Sequence, residues 1–157
     1  MTEGTRQAKI SDLRIRPDFL PHHVQHVWEE WWQPKGMSRE QLEARAREAF
    51  GAAAIPFTLI AHDGDRFLGT VSVIESDLDL RPELRPWVAA LWVMPEARKQ
   101  GVGAALAEAA VARAFESGER EIHLYAGPHL RPFYQPRWMT LESGVGPKGV
   151  DIYVRRA

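Results

Sequence analysis

Four residues within six positions carry the clearest chemical signal in the sequence. Arg98 and Lys99 supply positive charge, and Gly101 and Gly103 follow them closely. Glycine has no Cβ, so it lets a ligand approach the backbone and allows conformations that other residues avoid. Arginine and lysine are the side chains that bind phosphate oxygens most readily. This run therefore has the composition of an anion-binding loop.

The segments on either side of this run predict the same chemistry. An apolar segment over 87–93 predicts a strand, and the alanine-rich segment Ala104–Phe115 predicts an amphipathic helix. The start of a helix offers unpaired N–H groups and the positive end of the helix dipole. A strand, a glycine turn and a helix together predict a site for a pyrophosphate.

Two other phosphate-binding motifs do not match the run. A dinucleotide-binding turn needs a third glycine where the sequence has Leu106. It also needs an acidic residue at the end of a later strand, whereas Glu121 opens one. The P-loop motif G-x-x-x-x-G-K-[ST] is absent from the sequence.

The loop resembles the pyrophosphate loop of the GNAT acetyltransferase superfamily, whose motif is [RQ]-x-x-G-x-[GA]. Arg98, Gly101 and Gly103 match this motif without a gap. The hydrophobic strand, the proline and the acidic residue that usually precede the loop are present over 91–98. Phe133-Tyr134 is similar to the family's [AF]-x-Y segment with its frequent catalytic tyrosine. The similarity covers residues 66–140, and residues 8–65 agree with the family in pattern.

The resemblance implies an α/β fold, in which a mixed central sheet of about six to seven strands is flanked by about four helices. It implies acetyl-CoA as a cosubstrate and direct transfer of its acetyl group to a primary amine of a small molecule, peptide or protein. A non-catalytic acyl-CoA-binding or regulatory module is the alternative. The residues that the resemblance assigns to acetyl-CoA are Leu91, Trp92, Val93, Arg98, Lys99, Gln100, Gly101, Val102, Gly103, Ala104 and Ala105.

The resemblance also implies the catalytic residues. Tyr134 stands where the family has its general acid, and a phenol, with an ordinary pKa of about 10, is suited to protonate a thiolate. The usual Tyr-x-x-x-Gly-Phe pattern is not kept, because Trp138 arrives one residue early and the glycine is missing, so Tyr125 is the alternative acid. Glu75 closes a strand and is the candidate general base. A buried structural tyrosine and a solvated carboxylate are the alternatives for Tyr134 and Glu75.

The first predicted helix, Phe19–Trp32, is rich in histidine and tryptophan. His22 and His26 have the i, i+4 spacing of two metal ligands, but the sequence offers no third ligand at a recognised spacing, so we expect no metal. The tryptophans favour core packing over an aromatic wall for the acceptor; they are Trp28, Trp31 and Trp32.

The bulk composition limits the classes of partner. The chain has 157 residues, a formal net charge of -1 and no cysteine, which predicts one domain over 1–157 without disulfides or thiolate metal sites. Scattered charge gives no nucleic-acid footprint, and no apolar run has the length of a membrane span. We therefore expect a cytoplasmic protein, with residues 1–8 flexible and a homodimer possible.

The hydrophobic pattern also predicts the order of the elements. Strands are predicted over Ile10–Arg16, Phe57–His62, Arg66–Glu75, 87–93, 121–126, Trp138–Glu142 and Val150–Val154. Helices are predicted over Phe19–Trp32, from a capping box at Ser38 to Phe50, over Ala104–Phe115 and near 129–135.

Overall fold

Seven strands form one mixed sheet in the order β1-β2-β3-β4-β5-β7-β6. The computed structural model describes residues 8–157, so the flexibility predicted for residues 1–8 falls, for residues 1–7, outside the described part of the chain. The strands are β1 Lys9–Asp12, β2 Phe57–Asp63, β3 Arg66–Ile74, β4 Trp87–Val93, β5 Glu121–Ala126, β6 Met139–Val145 and β7 Val150–Arg156. Neighbouring strands are antiparallel except β4 and β5, which are parallel.

Four α-helices flank the sheet, which agrees with the α/β architecture that the resemblance implies. They are α1 Leu20–Val27, α2 Arg39–Ala46, α3 Val102–Glu116 and α4 Arg131–Tyr134. A π-helical segment, Trp28–Trp32, and a 3₁₀ turn, Gln33–Lys35, continue α1. Further 3₁₀ turns cover Pro17–Phe19, Arg47–Phe50, Pro95–Ala97 and Pro128–Leu130. None of these helices is long and apolar enough to cross a membrane.

The helices cover two different faces of the sheet. One face packs against the alanine-rich side of α3, where Leu106, Ala110 and Ala114 are fully buried. The other face packs against α1 and α2 through a second cluster that contains Val24 and Leu42. Side chains alternate between the faces along each strand, so a register position also fixes the side of the sheet on which a residue acts.

The sheet opens in its middle, between β4 and β5. In the described chain one residue pair, Trp87 with His123, is in register between these strands, near the beginning of β4. Where β4 pairs with β3, on the side away from β5, β4 carries a bulge. Thr70 pairs with Trp92 and Ser72 pairs with Ala89, so one residue of β3 lies opposite two residues of β4. Beyond the one registered pair, the two strands part toward their carboxyl ends and leave a cleft.

Several predicted boundaries are wrong, and a local hydrogen bond explains one of them. The first strand ends at Asp12, not Arg16, because the Asp12 carboxylate accepts the Arg14 N–H at 2.7 Å and starts a turn. The third helix begins two residues earlier than predicted, which places Gly103 inside its first turn. The capping box is confirmed: Ser38 Oγ accepts the Gln41 N–H at 3.1 Å, and the Gln41 side chain accepts the Ser38 N–H at 2.9 Å.

Candidate functional site

The glycine loop presents unpaired N–H groups at the start of α3. Gly101 has a φ of 84°, in the left-handed region, and Val102 begins the right-handed helix. This change of hand points successive N–H groups toward one side, the geometry of a backbone anion site. The first helical bond runs from the Ala105 N–H to the Gly101 oxygen at 3.0 Å, so the preceding N–H groups have no partner within the helix.

The side chains of the loop fix its position at the end of β4. Arg98 Nε donates to the Val93 oxygen at 2.9 Å, and its guanidinium carbon lies 5.6 Å from the centroid of the Trp92 ring. Gln100 Nε2 donates to the Glu96 oxygen at 3.1 Å and closes the turn before the loop. Arg98 is exposed, so its remaining N–H groups are available to an anion beside the helix start.

A groove of about 630 Å³ extends from the loop along α3. It is lined by Gly101, Ala104, Ala105, Glu108, Arg137 and Arg155. Arg155 donates to both carboxylate oxygens of Glu108, at 2.7 and 3.2 Å, so that carboxylate is neutralised and Arg137 adds positive charge. Sequence reasoning missed these three charged residues: Arg137 and Arg155 come from far along the chain, and no spacing distinguishes Glu108 from the other charged residues of α3.

The beginning of α3 also faces α4 across the end of β4. A Cβ atom at Gly103 would lie 3.6 Å from Val93 Cγ2 and 3.7 Å from Phe133 Cζ. The predicted cofactor residues Leu91, Trp92 and Val93 are half-buried on β4; Leu91 lies in its bulge, and Trp92 and Val93 follow the bulge. The glycine loop, the open end of β4 and α4 therefore form one continuous site.

Tyr134 is buried at the end of α4, with 8% of its surface exposed. Its ring lies 4.8 Å from that of Phe133 and 5.5 Å from that of Tyr153. Burial raises the pKa of Tyr134 to about 12, so this phenol keeps its proton at neutral pH. A neutral phenol can donate a proton and is a poor base.

Glu75 lies beyond the other end of the cleft, just after β3. Its carboxylate accepts two hydrogen bonds from Arg85, at 2.6 and 2.9 Å, and Arg85 also contacts Glu119. The bonds from Arg85 lower the pKa of Glu75. Glu75 is adjacent to Ile74, whose partner on β4 is Trp87, so it lies on the far side of the one registered β4–β5 pair from the glycine loop.

Asp77 is a second carboxylate in the same connection, and its surroundings differ from those of Glu75. Burial raises the pKa of Asp77 to about 6, although the charge of Lys35 opposes this shift. Burial raises the pKa of Tyr125, the alternative acid, and the charges of Asp77 and Asp79 raise it further. Tyr125 is in register with Ile152 of β7, and both side chains belong to one cluster on the sheet, whereas Tyr134 belongs to the cluster on the opposite face. The two candidate acids therefore lie on different sides of the sheet.

The histidines of α1 stack on aromatic rings. The His26 ring lies 4.2 Å from that of Trp92, and the His22 ring lies 5.5 Å from that of Phe67. Within residues 8–157, no three His, Cys, Asp or Glu side chains lie where they could share a metal ion. The tryptophans after α1 pack against the cluster beneath it, and Trp28 Nε1 donates to the Met37 oxygen at 2.7 Å.

Comparisons with known proteins place this architecture in one class. The Streptococcus pneumoniae acetyltransferase of the GNAT family has a similar structure, with a TM-score of 0.68, 14% identity, and coverage of 96% of this chain and 100% of that one. Salmonella typhimurium yncA, whose structure contains its cofactor acetyl-CoA, has a TM-score of 0.68 at 12% identity, with 96% and 94% of the two chains covered. These structures share the fold, a mixed seven-stranded sheet with four helices.

The sequence itself identifies the family. The model of the acetyltransferase (GNAT) family matches residues 22–137, and this chain belongs to that family. A search of curated proteins finds no match. Members of the family are acyl-CoA N-acyltransferases.

Proposed function

We propose that this protein transfers the acetyl group of acetyl-CoA directly to a primary amine. The observation that carries the proposal is the cleft between β4 and β5, which opens beside the unpaired N–H groups at the start of α3. The pyrophosphate would lie on residues 98–105, and the pantetheine arm would run along the backbone of Leu91, Trp92 and Val93. The acetyl-CoA in the yncA structure supports this choice of cosubstrate.

The groove along α3 would take the adenosine half of the cosubstrate. Arg137 carries positive charge there, and Arg155 is held by Glu108. A phosphorylated ribose is best recognised by guanidinium groups, which donate in pairs to phosphate oxygens. We therefore assign Arg137 to the phosphate groups of CoA, together with Arg98.

Tyr134 would act as the general acid of the transfer. The amine nitrogen attacks the thioester carbonyl, a C–N bond forms, and the C–S bond breaks with its electron pair on sulfur. The thiolate then takes the phenolic proton of Tyr134, a buried phenol that is neutral at physiological pH. The attacking amine loses its own proton to a base.

Glu75 is the base that the resemblance implies, and Asp77 is a second carboxylate in the same connection. The Glu75 carboxylate is hydrogen-bonded to Arg85, and burial raises the pKa of Asp77, two residues later, to about 6. The two isosteric substitutions Glu75→Gln and Asp77→Asn separate them. The variant that lowers turnover while leaving acetyl-CoA affinity unchanged identifies the base.

The proposed function is tested by measuring thiol release from acetyl-CoA with a panel of amines. The panel should include polyamines, aminoglycosides, amino acids and peptides with a free N-terminus or lysine. Amine-dependent thiol release supports the enzyme. Tight binding of acetyl-CoA without transfer to any amine would favour the non-catalytic acyl-CoA-binding module instead.

A further inference from the structure

A stack of parallel rings connects α1 with the end of β4. The centroid of the His26 ring lies 4.2 Å from that of Trp92, with 11° between the two planes, and the Phe67 ring lies 5.6 Å from His26 at 10°. At the edge of the indole, Trp92 Nε1 donates to the Glu30 carboxylate at 3.2 Å. These contacts on the face and at the edge of the indole hold Trp92 in one orientation.

The loop arginine, Arg98, lies over the ring that this stack holds. Its guanidinium carbon is 5.6 Å from the centroid of Trp92, within the distance of about 6 Å at which a cation is attracted to the face of a ring. Arg98 Nε also donates to the Val93 oxygen at 2.9 Å. A guanidinium has five N–H donors, and this bond uses the one on Nε. The ring and the carbonyl therefore orient Arg98 and leave its terminal N–H groups for an anion.

The orientation of Arg98 has a consequence for the strength of anion binding. A free arginine side chain loses rotamer freedom when it binds a phosphate, and this loss of entropy weakens the binding. The contacts with Trp92 and Val93 restrict the Arg98 side chain in the folded protein itself. Part of the ordering cost therefore falls on folding and not on ligand binding.

We propose that the Trp92 side chain is a positioning residue for the pyrophosphate of acetyl-CoA, because it orients the Arg98 guanidinium that binds this group. The inference rests on the proposed function, which assigns the pyrophosphate to residues 98–105. It gives Trp92 a side-chain role besides the backbone contact with the pantetheine arm. It also gives α1 a part in cosubstrate binding, since the His26 ring supports the indole.

The orientation of Arg98 can be measured without a ligand, by nuclear magnetic resonance. The Nε–H resonance of Arg98 is assigned by its loss in Arg98→Ala, and its exchange with water should be slow because Nε–H is bonded to the Val93 oxygen. Trp92→Leu keeps an apolar side chain and removes the ring, so this exchange should become several times faster. The exchange rate decides, because the loss of the ring alone moves the resonance position.

Two further variants make this measurement specific. Trp31 packs against the same cluster beside α1, so Trp31→Leu is the matched control and should leave the exchange rate of Arg98 unchanged. Trp92→Phe keeps a smaller ring that attracts a cation less strongly, so it should give an intermediate rate. It decides alone if Trp92→Leu does not fold. A wild-type exchange rate in the folded Trp92 variants would overturn the inference.

Calorimetric titration with acetyl-CoA separates this inference from the proposed function. Trp92→Leu should weaken binding by about two- to fivefold, the effect of losing a cation–π contact at a partly exposed site. In an Arg98→Ala background, Trp92→Leu should cause no further loss, because the indole acts through Arg98. If the wild type binds acetyl-CoA and the two losses multiply, the inference is wrong and the proposed function stands. If the wild type does not bind acetyl-CoA, both are wrong.

Discussion

The two glycines of the loop should respond in opposite ways to the same substitution. Gly101 has a φ of 84°, and a Cβ placed there would meet nothing within 4 Å, so Gly101→Ala introduces conformational strain without a clash. An L-residue in the left-handed region costs about 1–2 kcal/mol. Part of this cost is offset because alanine also restricts the unfolded chain, which leaves about 1 kcal/mol of destabilisation.

Gly103 lies in the first turn of α3 with ordinary helical backbone. A Cβ there would be at van der Waals distance from Val93 and Phe133, 3.6 and 3.7 Å away. Gly103→Ala should therefore stabilise the protein by about 0.5–1 kcal/mol through helix propensity. For a chain of this length, 1 kcal/mol corresponds to a change of about 2–4 °C in the melting temperature.

The pair of alanine variants is its own control, because each carries one added methyl group in the same loop. Urea denaturation followed by circular dichroism, without ligand, should give unfolding free energies below the wild type for Gly101→Ala and above it for Gly103→Ala. Shifts of the same sign in both variants would refute this reading of the loop. Equal stability of Gly101→Ala and the wild type would refute the assigned strain at Gly101.

Three further outcomes follow from the site. Arg98→Ala should weaken acetyl-CoA binding measured by calorimetry, more strongly at low than at moderate ionic strength. If the variant binds as tightly as the wild type at both ionic strengths, Arg98 is a surface residue without a ligand contact. Tyr134→Phe should lower turnover by roughly 10²–10⁴-fold with nearly unchanged acetyl-CoA affinity, and full turnover in this variant with a loss in Tyr125→Phe would move the acid to Tyr125. Burial lowers the pKa of His23, on α1, to about 4, whereas a histidine in the unfolded chain has a pKa of about 6.5. As the pH falls, the unfolded chain therefore takes up a proton at this residue before the folded chain does. The unfolding free energy should fall as the pH drops from about 6.5 to about 4, less steeply in His23→Asn, and equal slopes in urea titrations would contradict this assignment.

The parts of the fold that local chemistry determines could be predicted from the sequence. The capping box at Ser38 and the glycine turn before α3 each depend on neighbouring residues, and both are present. The bulge of β4 could not be predicted. It places Ala90 at a φ of 55°, a conformation that the presence of an alanine does not indicate. Tertiary packing imposes that conformation on a residue with no local preference for it.

The partners of the site residues could be predicted less well than the residues themselves. Tyr134 and the loop follow from a short pattern, but Arg137, in the turn after α4, and Arg155, on β7, come to the loop from far along the chain. The contact between Arg85 and Glu75 spans a connection whose path the sequence does not define. The burial that sets the pKa of Asp77 likewise depends on the packing of a loop, which no local pattern encodes.

The binding of acetyl-CoA at the start of α3 is the central claim, and calorimetric titration of one matched pair tests it most directly. Gly103→Val would extend two methyl groups beyond the Cβ position, into the gap between Val93 and Phe133, whereas Gly103→Ala would not. The wild type and Gly103→Ala should bind acetyl-CoA with similar affinity. Gly103→Val should bind it more weakly by on the order of 1–3 kcal/mol, or about 5- to 150-fold. Wild-type affinity in a folded Gly103→Val protein, or no binding by the wild type, would contradict the claim.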